Sequence, residues 1–107
     1  MLFDTTAAYF DEVLAESFTK TVILDFYAPW CAPCRALAPE LDALSDRLEA
    51  SVSAYSVNID KDTELVQKFG IKTLPTVLVL KNGEVRACFE KDVSADLIGQ
   101  AVLMGDK

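Results

Sequence analysis

The stretch Asp25-Phe26-Tyr27-Ala28-Pro29-Trp30-Cys31-Ala32-Pro33-Cys34-Arg35 decides how this chain folds. It leaves an apolar run, Thr21 to Tyr27, rich in β-branched and aromatic residues. Such a run suits a central strand covered on both faces, as in parallel sheets. It then enters a helix with Cys34, Leu37, Leu41, Leu44 and Leu48 on one stripe and Glu40, Asp42, Asp46, Arg47 and Glu49 on the other side. Two cysteines two residues apart sit at that junction. Their spacing can close a small disulfide across the first helical turn. A helix N-terminus offers unpaired N–H groups and a partial positive charge, which favour the thiolate, the reactive form of cysteine. The expected chemistry is thiol–disulfide exchange.

Outward from this junction the chain punctuates itself clearly. Leu2-Phe3 reads as a short edge strand and Asp4 as the cap of a first helix, whose inner face carries Phe10, Val13, Leu14 and Phe18. Pro39 falls inside the helix that starts at the cysteines and is expected to kink it. Val52 to Ile59 reads as the next strand, giving strand–helix–strand with a right-handed crossover. Asp62 caps a short helix with Leu65, Val66 and Phe69 inward, stopped by Gly70. Thr76 to Leu80 and Val85 to Phe89 flank Lys81-Asn82-Gly83-Glu84, and Asn-Gly between two such runs signals a hairpin. Ser94 opens a last helix with Leu97, Ile98, Ala101 and Val102 on one face. There are no repeats, linkers or low-complexity segments, so residues 1–107 are expected to form a single domain. An opening helix followed by βαβαββα predicts an α/β fold, a mixed central sheet of four to five strands with helices on both faces.

Composition narrows the function further. Ten basic against seventeen acidic residues give a net charge of −7, which argues against nucleic acid or an anionic membrane surface as a partner. There is no histidine, so Ser-His and Cys-His hydrolytic chemistry is excluded. Three cysteines are too few for a secreted disulfide framework. Met1-Leu2-Phe3-Asp4 shows no basic region leading into an apolar run, and no apolar stretch is long enough to span a bilayer. A cytoplasmic protein is the expectation. A tetrahedral zinc site needs four ligands, and beyond the pair the chain offers Cys88 alone, so no metal is expected.

Position assigns several residues an expected setting. Cys31, at the loop–helix junction, should be exposed, and Cys34, one turn deeper on the apolar stripe, should be buried and mostly a thiol. Asp25 stands mid-strand, where an unpaired charge is costly, and is either buried or an edge residue turned to solvent. Leu24 and Phe26 on either side favour burial. Pro33 fits the first turn of a helix because its missing N–H is not needed there. Pro75, taken alone, reads as an ordinary trans residue at a strand start. Trp30 belongs either to the core or, as an aromatic before a reactive cysteine, to a contact surface. Cys88 alternates with Arg86 and Glu90, opposite Val85, Ala87 and Phe89, and as a free cysteine is expected to be buried and inert.

The chain resembles the thioredoxin family over essentially its full length. The matching pieces are Asp25-Phe26-Tyr27-Ala28, Trp30-Cys31-Ala32-Pro33-Cys34, Pro39, Asn58-Ile59-Asp60, Leu74-Pro75-Thr76 and Lys81-Asn82-Gly83-Glu84-Val85. Thioredoxin is itself a standing example of a cysteine pair with a lowered pKa. The resemblance implies a Cys31–Cys34 disulfide, with Cys31 attacking a substrate disulfide and Cys34 resolving the mixed disulfide. It implies that Asp25 lies beneath the pair and moves the proton of the buried thiol through water. Ala32, Pro33 and Pro75 tune the redox pair, Pro75 as a cis proline that exposes the backbone of Leu74 and shields the sulfurs from metals. Trp30, Thr73, Leu74, Glu90 and Lys91 would line the substrate groove. The implied substrates are protein disulfides, the donor a thioredoxin-reductase-like protein, the working form a monomer, and no cofactor is needed beyond the cysteines.

Three departures from the family pattern stand out. Ala32 replaces the usual glycine, and Ser56 stands where many relatives have a lysine near the buried aspartate. Phe89-Glu90-Lys91-Asp92 puts charge where an apolar residue and then glycine are common, which is expected to narrow the substrate range. Two other readings remain: a dedicated redox partner of one enzyme or pathway, and a binding module with incidental cysteines. The full set of Asp25, Cys31, Cys34 and Pro75 speaks against the second.

Overall fold

The computed structural model describes residues 1–91 and 93–105. Strand β1 (Leu2–Asp4) leads through a 3-10 turn (Ala7–Tyr9) into helix α1 (Phe10–Glu16). Strand β2 (Thr21–Tyr27), helix α2 (Ala32–Arg47), strand β3 (Val52–Asn58) and helix α3 (Thr63–Phe69) follow. Strands β4 (Thr76–Lys81) and β5 (Glu84–Glu90) and helix α4 (Ala95–Gly105) complete the order. The five strands form one sheet in the order β1-β3-β2-β4-β5, so β2 is its centre. β2 runs parallel to β3 and antiparallel to β4, which makes the sheet mixed as expected.

Alternation along β2 feeds a core on each face. Ile23 packs with Leu37, Leu41 and Leu44 of α2 and Ile98 and Val102 of α4. Val22, Leu24 and Phe26 pack on the other side with Phe10 and Val13 of α1 and Leu65 of α3. Full burial of one such side chain stabilises by about 1.5–3 kcal/mol, so this apolar strand anchors both layers. The Asn82-Gly83 turn joins β4 and β5 with both residues at positive φ, 54° and 78°, which is what a two-residue hairpin with the right twist requires. Asp62 caps α3 through Oδ1, which accepts the Leu65 N–H at 3.0 Å, and Gly70 ends it at φ 64°. α2 continues through Pro39 as one helix.

Four local expectations need correction. Asp4 belongs to β1 and does not cap a helix, because its backbone is taken up by pairing with Ser56. Phe18 lies beyond α1 and is exposed, its ring set over Gly83 rather than in the core. The cause is Ser17, whose carbonyl accepts the Asn82 N–H at 2.7 Å and whose hydroxyl accepts the Gly83 N–H at 2.9 Å, docking the hairpin turn there. Val85 is exposed although alternation grouped it with Ala87 and Phe89. Leu80 pairs with Val85 but Val79 with Ala87, so Arg86 is an extra residue and the alternation breaks across this bulge. Leu97 is half-exposed, since the inner face of α4 centres on Ile98 and Val102. Among the described residues no helix is long and apolar enough to cross a membrane.

Candidate active site

The end of β2 delivers the chain to the first turn of α2 with a cysteine at the helix cap. Cys31 has extended backbone angles, φ −89° and ψ 106°, and its Sγ accepts the Cys34 N–H at 3.3 Å. The sulfur thus takes a hydrogen bond from one of the orphan donors at a helix N-terminus, the place where negative charge is most favoured. Cys31 and Cys34 form a disulfide with their Cα atoms 5.3 Å apart. Pro33 sits in the first turn, where no helical partner awaits its nitrogen. Both cysteines are buried, Cys31 at 6% exposure and Cys34 at 1%. The expectation of an exposed Cys31 is corrected: bonded to Cys34, it lies in a cluster with Ala28 that Tyr27, Ile59 and Leu74 pack against. The order of depth is nevertheless the predicted one.

Asp25 is 1% exposed, with Oδ1 buried and without a hydrogen-bond partner. Burial, which penalises the charged form, raises its carboxyl from 3.8 to about 7. Asp25 is not sealed off. Together with Cys34 it lines a cleft of about 270 Å³ bordered by Asp4, Tyr27, Ser56 and Arg35. Ser56 pairs with Asp25 across β3 and β2 and with Asp4 across β1 and β3, so three polar residues stand in one row of the sheet. Ser56 Oγ and Tyr27 OH both donate to Asp4 Oδ1, the latter at 3.3 Å. At the helix start, exposed Arg35 donates to the Pro29 carbonyl at 2.7 Å.

The outer face holds the residues assigned to a substrate groove. Trp30 is 67% exposed, with its indole N–H donating to Asp60 at 3.1 Å, which settles it as surface rather than core. The Leu74–Pro75 peptide is cis, correcting the reading of Pro75 as an ordinary trans residue and matching what the resemblance implies. Thr73 offers its carbonyl to Thr76 Oγ1 at 2.6 Å, while its own Oγ1 is buried without a partner. Glu90 pairs with Thr76 across β5 and β4, which brings Glu90 and Lys91 alongside the Leu74–Pro75 turn, and both are exposed. Lys91 has φ 62°, a left-handed conformation that accounts for a glycine preference at such a position. Asp92 lies outside the described residues.

Cys88 is a free, exposed cysteine, contrary to the expectation of burial. It stands on the outermost strand, where no further strand covers it, and its Sγ lies 3.8 Å from Glu90 Oε1. Partial desolvation first, then the Glu90 charge and hydrogen bond, push its thiol up. Among the described residues no group of three or more cysteine, aspartate, glutamate or histidine side chains is placed to hold a metal ion.

Asp4, Tyr27 and Arg35 are the site neighbours that sequence reasoning did not single out. Tyr27 follows Asp25 by two residues, so strand alternation alone places both on one face. Asp4 had no such local signal, because its position depends on the pairing of β1 with β3.

A disulfide closed on a helix cap and bordered by a protonatable carboxyl can trade a disulfide for a dithiol, and the chain is a thiol–disulfide oxidoreductase. The family model for thioredoxin matches residues 1–103, and the chain belongs to that family. It is 41% identical over 80 residues to a thioredoxin of Rickettsia bellii, covering 75% of this chain and 74% of that one. A thioredoxin of Bacillus subtilis is 39% identical over 71 residues, 66% of this chain and 68% of the relative. A chloroplastic M-type thioredoxin of Pisum sativum is 43% identical over 74 residues, 69% of this chain and 42% of the relative.

Proposed function

We propose that Cys31 is the nucleophile of a thioredoxin-type protein disulfide reductase and Cys34 its resolving thiol. In the reduced protein the Cys31 thiolate attacks one sulfur of a substrate disulfide, forming a mixed disulfide and releasing the first substrate thiolate. Cys34 then loses its proton, attacks Cys31 Sγ and releases the second, leaving the Cys31–Cys34 disulfide for a reductase to reopen. The observation that carries this division is the Cys34 N–H donated to Cys31 Sγ at the start of α2. It stabilises charge on the first sulfur and offers none to the second. Asp25, raised to about 7 and bordering the same cleft as Cys34, is suited to receive the Cys34 proton near neutral pH.

Trp30, Thr73, Leu74, Glu90 and Lys91 form the groove for an extended substrate segment, with Ala32, Pro33 and Pro75 tuning the pair. The protein works as a cytoplasmic monomer and stores its two electrons on the cysteines without a bound cofactor. Three cysteines, too few for a secreted disulfide framework, support the cytoplasmic reading. Timed alkylation of the reduced protein with iodoacetamide near neutral pH tests the division of labour. Cys31 is expected to react fast and Cys34 slowly, and equal rates would overturn the assignment.

A further inference from the structure

We propose that Asp4 is a positioning residue of the resolving step, the outer carboxylate through which the proton taken up by Asp25 leaves for solvent. This rests on the reading of Asp25 as acceptor of the Cys34 proton and extends it outward.

The geometry supplies a path. Asp4, Ser56 and Asp25 share one row across β1, β3 and β2, so Asp4 and Asp25 stand two strand spacings apart, about 10 Å. That is too far for direct proton transfer but short for water and hydroxyl groups. The cleft between them, about 270 Å³, has room for water. Tyr27 stands beside Asp25 on β2 and donates its hydroxyl to Asp4 at 3.3 Å, while Ser56 donates to the same oxygen from β3. The charged or titratable groups facing the cleft are Asp4 from β1, Asp25 and Tyr27 from β2, and Cys34 and Arg35 from α2, with β3 contributing Ser56. Burial first, then the charge and hydrogen bond of Asp4 and after them the charge of Asp25, raise the Tyr27 hydroxyl. Asp25 has a buried oxygen without a hydrogen-bond partner, whereas Asp4 is exposed.

The balance is simple. The Cys34 thiol gives its proton to the Asp25 carboxylate, and its sulfur pair forms the bond to Cys31 Sγ as the Cys31–substrate S–S bond breaks. The substrate leaves as thiolate and is protonated from solvent. Asp25 passes its proton through water and the Tyr27 hydroxyl to Asp4, which releases it, so Asp25 is a carboxylate again for the next cycle.

Single-turnover oxidation by dithiobis(nitrobenzoate), in a Cys88→Ser background, separates the two steps. The first equivalent of coloured thiolate reports attack by Cys31 and the second reports resolution by Cys34. Asp4→Asn keeps an acceptor oxygen for Ser56 and Tyr27 but holds no proton to pass. In dilute buffer near neutral pH it is expected to slow the second phase about fivefold, leave the first unchanged, and regain speed as acetate is added as a small proton carrier. Tyr27→Phe, expected to act in the same direction, replaces it if Asp4→Asn does not fold. An unchanged second phase, or a slow one that acetate does not restore, overturns the relay. Asp25→Asn is measured in parallel: if it leaves the second phase unchanged, the underlying role of Asp25 fails and the relay with it. If it alone slows that phase, only the relay fails.

Discussion

At two places the molecule sets a cysteine beside a carboxyl group, and the two pairs behave differently. In the cleft behind α2, Cys34 and Asp25 are both almost fully buried, and Asp25 is raised to about 7 with an unpartnered oxygen. On β5, Cys88 and Glu90 are both exposed and touch through a 3.8 Å contact, and partial desolvation first, then the Glu90 charge, push the thiol up. In the first pair burial acts on the carboxyl and brings its titration to about 7. In the second the thiol itself is partly desolvated, and the Glu90 charge adds to the upward push. The same two functional groups make a reactive centre or a quiet one, depending on which of them loses its water.

The sharpest way to break the contrast is to remove one thiol from each pair. Cys34→Ser is expected to cut multiple-turnover reduction of a protein disulfide by about 10³-fold or more and to leave the substrate bound covalently to Cys31. Cys88→Ser is expected to leave turnover within about twofold, well inside the spread of ordinary surface changes. A comparable loss in both would erase the distinction.

Next in size is the buried carboxyl. The folded protein holds a proton on Asp25 that the unfolded chain releases, so Asp25 lowers stability progressively as pH rises from about 4 to about 7. Above that range the deficit is complete, and a carboxyl moved from 3.8 to about 7 corresponds to about 4 kcal/mol. Asp25→Asn is neutral at every pH and is expected to be more stable than the parent by up to that amount at pH 8, with little gain near pH 4. Urea unfolding at the two pH values measures it, and a gain of equal size at both would exclude ionisation of Asp25 as the cause.

Smaller effects belong to the exposed pair's strand. Lys91, at φ 62°, sits in a conformation that an L side chain adopts at a penalty, so Lys91→Gly is expected to raise stability by about 1 kcal/mol, read from the urea midpoint. Glu90→Gln removes the charge beside Cys88 and is expected to speed its alkylation about threefold at pH 8, leaving Cys31 unaffected. Peptide mapping after brief labelling resolves the two sites.

The first pair was legible in the sequence because its signals are local. A strand-to-helix switch, a two-residue spacing and an aspartate flanked by Leu24 and Phe26 are all visible between Leu24 and Cys34. Asp4 was not, since only the register of β1 on β3 carries it to the cleft. The exposure of Cys88 was not legible either, because composition favours buried cysteine and strand order decides that β5 is outermost. Val85 shows the limit of alternation most simply, as one extra residue at Arg86 reverses the face of what precedes it. Cys31 shows another: position predicts accessibility to solvent, while neighbours such as Leu74 decide how much is left.

Because β2 is the middle strand, with a partner on each side and a core against each face, its amide hydrogens are shielded in every direction. Amides of Ile23, Leu24 and Phe26 should therefore exchange with deuterium only when the whole molecule opens, whereas those of β1 and β5 should also exchange through partial opening at the edges. The cysteine loop is attached directly to the end of that last-opening strand. A fluctuation that peels away either edge thus leaves the disulfide and its helix cap in place, and a protease that nicks a frayed edge strand would meet a molecule still able to react.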